Sequence, residues 1–278
     1  MNDMTNLTQL RRDIDDVDTQ MQELLARRVA LVLEIARIKD GEDTNASPLR
    51  PEREVAILRR LARDHKSGFP LASLFRIYRE IMSVSLQLQQ RFCISIWTGD
   101  NPALSNLARD FYGSSIPVSY ESDAHTVLER VSKDASVLGV LPLPDGGAQG
   151  KWWPGLVRYR PGLSVVGCLP FLLTDGAGES RALVIGSIQF VPSGDDTSLL
   201  AWSLARRMDI RDAEAFVLNN LGSHVWLLDS GDDEDQRLLL AARGHVTGME
   251  DQLSPLREIG ALTFLGGYAN PWREENGS

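Results

Sequence analysis

Leu24-Leu25-Ala26-Arg27-Arg28-Val29-Ala30-Leu31-Val32-Leu33-Glu34-Ile35-Ala36-Arg37-Ile38-Lys39 is the stretch whose reading decides the fold. Its apolar positions 24, 31, 35 and 38 continue backwards through Met21, Val17, Ile14, Leu10 and Leu7 in steps of three and four, and residues 5–40 contain neither Pro nor Gly. The spacing predicts one long helix. At 1.5 Å per residue it runs on the order of 50 Å, longer than a small domain is wide, so its stripe needs a partner chain to cover it. Arg28 stands in the stripe where Leu or Ile is expected, and a buried guanidinium is costly unless paired. Lys39, eleven residues on, lies three turns plus about 20° further round and projects from nearly the same face. No acidic residue shares that strip within the helix, so the counter-charge comes from another element or from a ligand.

Outward from this helix, Arg11 lies seventeen residues before Arg28 and about 100° round the axis. It is either a solvated flank residue or a group that reaches a neighbouring chain's pocket. After a polar break, Pro51-Glu52-Arg53-Glu54 opens a second helix with Val55, Leu58 and Leu61 inward, and Gly68 follows its end. Pro70 opens a third, with a stripe of Leu74, Ile77, Ile81, Val84 and Leu88. Ser85 and Gln89 border that stripe, either as a polar pair fixing register or as donors to a ligand, and Glu54 faces inward from helix two. Cations, amides, one hydroxyl and one carboxylate, with no nucleophile–His pair, suit a small dianion and developing negative charge. They do not suit hydrolysis.

From Cys93 the texture becomes α/β. Strands are expected at 94–97 and 137–142, helices at 102–112 and 124–133, a loop at 144–162, and strands at 164–173 and 182–190. After a linker at 192–197, the reading gives a helix at 198–208, strands near 213–218 and 223–229, a helix at 233–247 and a last strand at 262–265. The formal net charge of −9 and pI near 5.0 remove any long-range attraction to nucleic acid or an anionic membrane. The first 92 residues are nearly balanced, with 15 Lys/Arg against 14 Asp/Glu, whereas the rest carry 14 against 24. An anionic substrate therefore belongs with the first third. Cys93 and Cys168 read as reduced thiols of a cytoplasmic protein, and His65, His125, His224 and His245 are too scattered for a metal cluster.

These residues resemble the helical chorismate mutase family, specifically the mutase fused to prephenate dehydratase in bacterial phenylalanine-pathway enzymes. The resemblance covers residues 7–90 and rests on Leu10-Arg11 with Ile14-Asp15 and Asp18, Leu24-Leu25-Ala26-Arg27-Arg28, Ile38-Lys39, Arg53-Glu54, and Ser85 with Gln89-Gln90. It implies a cofactor-free rearrangement of chorismate to prephenate in an intertwined homodimer. Arg28 of one subunit and Arg11 of the other would bind the substrate carboxylates, with Ser85 adding a hydrogen bond. Lys39 and Gln89 would donate to the ether oxygen, Glu54 would accept from the ring hydroxyl, and Arg53 would support the site. Arg50 stands where the family often has Asp.

The remainder resembles a reduced prephenate dehydratase and ACT domain. Gly139-Val140-Leu141-Pro142-Leu143 is followed by Pro144-Asp145-Gly146 instead of Glu-Asn-Ser, and Ser180-Arg181-Ala182 stands in place of Thr-Arg-Phe. Residues 93–190 offer room for one lobe where the family builds two. Glu214-Ala215-Phe216-Val217 replaces the Glu-Ser-Arg-Pro ligand motif, and Trp152, Trp153 and Trp226 read as packing residues. The expected organisation is therefore an all-α mutase (1–92), a truncated periplasmic-binding-like α/β half domain (93–191) and an α+β, ferredoxin-like ACT unit (192–278). Dehydratase activity is expected to be lost and residues 1–92 to work alone. The rivals are a bifunctional mutase–dehydratase and a non-catalytic scaffold.

Overall fold

The computed structural model describes residues 2–41, 49–66, 68–145, 150–174, 180–222, 226–230 and 236–273, with the side chains of 2–5 and 39–41 outside that description. Helices α1 (Asn2–Gly41), α2 (Pro51–Asp64) and α3 (Leu71–Gln89) arise where the prolines and periodicity place them. Pro51 sits in the first turn of α2, where its missing N–H costs nothing, with Glu52 and Glu54 beside it and Arg63 in the last turn. The 40 residues of α1 form one unbroken rod, about 60 Å long, meeting α3 around Arg28. Its stripe is largely uncovered in the single chain, with Ile14 60% and Leu24 64% exposed.

The third helix departs from the expected pattern. Ile77, Val84 and Leu88 of the predicted stripe are exposed, and the buried side is Leu71, Phe75, Arg79, Met82 and Leu86. Both stripes have helical spacing, so α3 carries two apolar faces. One packs on the rest of the chain, and the other extends the open surface of α1.

The α/β part comprises β1 (Cys93–Ile96), α4 (Ala103–Tyr112), β2 (Val118–Tyr120), α5 (Ala124–Lys133), β3 (Val137–Pro142), α6 (Trp153–Arg158), β4 (Ser164–Leu169), β5 (Leu172–Leu173) and β6 (Ala182–Gly186). Asp123 caps α5 by accepting from the Thr126 N–H. The short α6 lies inside the segment expected to be loop; its Trp153-Pro154 start is a helix signal masked by flanking Gly and Pro.

Beyond it come β7 (Asp196–Leu204), α7 (Ile210–Leu221), β8 (Trp226–Asp229), β9 (Arg237–Arg243), α8 (Glu250–Ile259), β10 (Gly260–Ala269) and β11 (Trp272–Arg273). Three expected elements are reversed here. The helix at 198–208 is strand β7, the strand at 213–218 belongs to α7, and the helix at 233–247 contains strand β9; α8 was not anticipated. Strands β7 and β9 are central and buried on both faces, so their apolar runs lack an alternating period, and tertiary placement overrides the helix preference of Leu and Ala in Leu238-Leu239-Leu240-Ala241-Ala242. The stop and start signals of α7 were present: Asp209 accepts from the Arg211 N–H, and Gly222 adopts φ 69°.

One nine-stranded sheet holds these parts together, in the order β2-β1-β3-β6-β4-β10-β7-β9-β8. The boundary expected at 191/192 falls in the loop between β6 and β7, while the sheet continues across through parallel pairing of Gly266 on β10 with Val165 on β4. Gly266 has φ +108°, and a Cβ there would stand 2.2 Å from the Val165 carbonyl oxygen. Only glycine lets these backbones approach so closely. One core layer follows the sheet across this junction, from Val127, Leu128 and Trp153 to Leu239, Leu265 and Tyr268. Trp152 and Trp153 are packing residues in it, and the Trp152 indole N–H donates to the Pro142 carbonyl at 2.8 Å.

The opposite face of the sheet receives α4 together with Leu86 and Leu49 of the helical part. Val55, Leu58, Leu71, Phe75 and Met82 pack around Phe171 and Ala269. Arg59 of α2 reinforces this seam, donating to the Ser193 carbonyl (3.0 Å), the Ser193 hydroxyl (2.9 Å) and the Asp195 carbonyl (2.6 Å). The helical part thus shares its core with the sheet. No helix among the described residues is long and apolar enough to cross a membrane.

Candidate functional site

The chemistry-bearing residues of the first third gather where α1 crosses α3. Arg28, half-buried, donates through Nη1 to the hydroxyl of Ser85 and to the carbonyl of Ile81 at 3.4 Å. The Ser85 hydroxyl is buried and donates in turn to the Ile81 carbonyl at 2.6 Å, so in this chain its proton is taken by the main chain. One turn on, the Gln89 amide donates to the Ser85 carbonyl at 3.1 Å. Burial lowers the pKa of Arg28, Tyr78 opposes that, and the charge of Arg53 adds to it. Arg28 and Arg53 are therefore near enough to repel, and among the described residues no carboxylate pairs with Arg28. A half-buried guanidinium without a carboxylate partner, with the positive charge of Arg53 acting on it, is chemically suited to a small anion.

The other predicted residues are distributed differently. Arg53 is exposed at the start of α2, and Arg50 precedes that helix, exposed and 3.8 Å from Glu52. Arg11 is exposed on α1, about 25 Å along the rod from Arg28, too far to join the same pocket from the same chain. The Lys39 side chain lies outside the described residues. Glu54 is held by Arg79 in an ion pair whose side chains are 12% and 3% exposed. Arg79 and Ser85 are six residues apart on α3, hence about 120° apart round its axis. The structure brings Arg28, Ser85 and Gln89 to one face of α3 and directs Glu54 to another.

Sequence reasoning overlooked Arg79 and Arg59. Arg79 had a signal available, because it interrupts the stripe of Leu71, Phe75, Met82 and Leu86 as Arg28 interrupts that of α1. Arg59 had none, since its partners lie 134 residues or more away.

In the sheet, Ser180 and Arg181 sit where β6 begins, opposite the carboxyl end of β3, a position at which open α/β sheets bind ligands. Ser180 accepts from the Asn101 amide at 2.9 Å, and Arg181 Nη2 lies 3.3 Å from Cys168 Sγ. Burial pushes the Cys168 thiol up, and Arg181 works against that shift. Among the described residues no second α/β lobe faces this sheet end.

Residues 10–90 match the family model for chorismate mutase type II. The bifunctional chorismate mutase/prephenate dehydratase of Pseudomonas aeruginosa is 27% identical over 146 residues, which is 51% of this chain and 40% of that protein. Its Aquifex aeolicus counterpart is 30% identical over 145 residues, covering 50% of this chain and 39% of that one. The match thus spans about two-fifths of the length of these relatives. A solved prephenate dehydratase from Streptococcus mutans aligns over 66% of this chain and all of its own, at 13% identity and a TM-score of 0.47. An alignment of 146 residues is longer than the 92-residue helical part, so the sequence likeness runs on into the α/β part. Residues 10–90 are thus similar to chorismate mutase type II, and the likeness to the bifunctional mutase–dehydratases continues beyond them.

Proposed function

We propose that this protein is a chorismate mutase, converting chorismate to prephenate in aromatic amino acid biosynthesis without a cofactor, and that it works as a cytoplasmic homodimer. The observation that carries the reading is Arg28 seated between α1 and α3 on Ser85, with Gln89 one turn on and the charge of Arg53 nearby. Arg28 and Arg53 hold the carboxylates, with Ser85 turning its hydroxyl from the Ile81 carbonyl to join them and Arg11 of a second copy completing the clamp. Lys39 and Gln89 donate to the ether oxygen as negative charge accumulates there. The reaction is an intramolecular bond exchange, so the residues hold the compact conformer and stabilise charge in the transition state; no group has to take a proton.

The uncovered stripe of α1, continued by Ile77, Val84 and Leu88, supports the dimer. Each such side chain gains about 1.5–3 kcal/mol on full burial, and ten on α1 alone remain exposed in the single chain. The strand–helix–strand–strand–helix–strand order after residue 192, with strands β10-β7-β9-β8, fits an ACT-like unit. Dehydratase activity is lost in this reading, because the Ser180–Arg181 sheet end has one wall. The test is to supply full-length protein with chorismate and then with prephenate. Prephenate should form in the first, and no phenylpyruvate in the second. A chain that leaves chorismate unchanged sinks the mutase reading.

A further inference from the structure

Arg79 occupies a core position and is only 2% exposed. Its Nη1 holds Glu54 of α2, its Nε donates to the Phe111 carbonyl in the last turn of α4, and its guanidinium carbon stands 3.6 Å from the centroid of the Phe111 ring. One side chain on α3 thus joins three helices, the last of which lies outside the region matched by the mutase family model. Stability alone does not call for an arginine here. Buried ion pairs are often no better than apolar residues of the same volume, and Nη2 of Arg79 is buried without a partner among the described residues, which adds to the cost.

The start of α2 gives it a purpose. Arg50 at the N-cap makes no side-chain cap bond, so the first turn of α2 lacks the usual anchor. Glu54 lies in that turn, next to Arg53, whose charge Arg28 feels. Building on the mutase reading, we propose that Arg79 is a positioning residue for the helical site. It clamps Glu54, and with it the first turn of α2, to the carboxyl end of α4, so the α/β part fixes where Arg53 stands relative to Arg28. Glu54 serves as the handle of that clamp.

The test uses full-length Arg79→Met and Arg79→Lys proteins, with amide exchange over residues 53–58, oligomeric mass, thermal unfolding and chorismate kinetics. In Arg79→Met, exchange in α2 should quicken and kcat/KM fall, each by about tenfold or more, with most of the kinetic change in KM, because carboxylate binding acts in ground and transition states alike. Leu58→Ala, which removes packing on the same helix, should lower the unfolding temperature and leave kcat/KM unchanged in the folded range. If Arg79→Met fails to fold, Arg79→Lys decides, since one ammonium cannot reproduce the fork to Glu54 and Phe111. Exchange within about twofold of wild type in a folded variant, or unchanged kcat/KM, overturns the proposal. A wild type inactive on chorismate removes the mutase reading instead, and the exchange data still decide whether the clamp exists.

Discussion

Cutting the chain after residue 92 separates two accounts of the helical part. If it is an autonomous domain, the fragment keeps its turnover, as the sequence led us to expect. The structure argues otherwise. Leu49, Val55, Leu58, Leu71, Phe75, Met82 and Leu86 are all at most 7% exposed in the full chain, and they pack in clusters with Phe171, Ala269, Ile94, Leu104 and Tyr112. The Phe75 and Phe171 rings stack with centroids 6.2 Å apart. Taking half the value of a fully buried side chain for each of the seven gives a loss on the order of 5–10 kcal/mol, comparable to the whole stability of a domain. Arg79 would also lose the Phe111 carbonyl and ring, and Arg59 its acceptors on Ser193 and Asp195. We therefore expect residues 1–92 to be aggregated or largely unfolded, with kcat/KM on chorismate at least about 100-fold below full length. Circular dichroism, sedimentation and chorismate consumption measured together give the answer. A fragment that melts cooperatively as a dimer with full-length kcat/KM would refute the reasoning.

Four further outcomes are expected. Arg28→Ala and Lys39→Ala should each leave a folded dimer and cost about 3 kcal/mol or more in kcat/KM, since each removes a cation aimed at substrate charge; near-normal kinetics in either variant removes that residue from the site. Mixing inactive Arg11→Ala with inactive Arg28→Ala protein should restore part of the activity, because about 25 Å of helix separates the two residues in one chain and only a second copy brings them together; subunits shown to exchange without recovery exclude a shared pocket. Gln89→Glu should confine turnover to acid, because a carboxyl donates only when protonated and its ordinary pKa is about 4.3; an unaltered pH profile would count against Gln89. Burial pushes the Tyr268 phenol up to about 12, so the fold favours its neutral form and loses that stabilisation as pH rises from the ordinary value near 10 to about 12. Tyr268→Phe should flatten the fall in unfolding free energy across that window, and a slope identical to wild type would show that Tyr268 does not set it.

The helical third was legible because its signals are local. A heptad stripe free of Pro and Gly, Pro51 and Pro70 at helix starts, and Gly68 after a helix end each act within a few residues. Short apolar runs likewise place β1 and β3, although the structure buries nearly every position of both strands and not alternate ones. The last third departs from the sequence pattern in the interior of the sheet. Between β10 and β9, strand β7 is covered on both faces, and Leu199-Leu200-Ala201-Trp202 then shows a run with no period. A short apolar run of that kind fits a buried helix as well as a buried strand, and only the partner strands decide. Gly266, which joins the two halves of the sheet, announces itself in sequence as one of a Gly-Gly pair and nothing more; its need for φ +108° exists only once β4 lies beside it.

The site shows the same division between what one helix states and what requires several. Arg28 was found because a charge interrupts an apolar stripe, and the structure gives it Ser85 as a partner. The same rule applied to the second stripe of α3 picks out Arg79, but α3 carries two apolar stripes and the sequence does not say which of them faces inward. Glu54, which the resemblance makes an acceptor for the ring hydroxyl, is paired in this chain with an arginine 25 residues on. The two arginines therefore mark two different tasks. Arg28, half-buried and without a carboxylate among the described residues, keeps its charge available to an anion. Arg79, buried and committed to Glu54 and Phe111, spends its charge within the protein. An interior cation with no internal counter-ion points outward to a ligand, and one that is already paired points to the architecture holding that ligand's site.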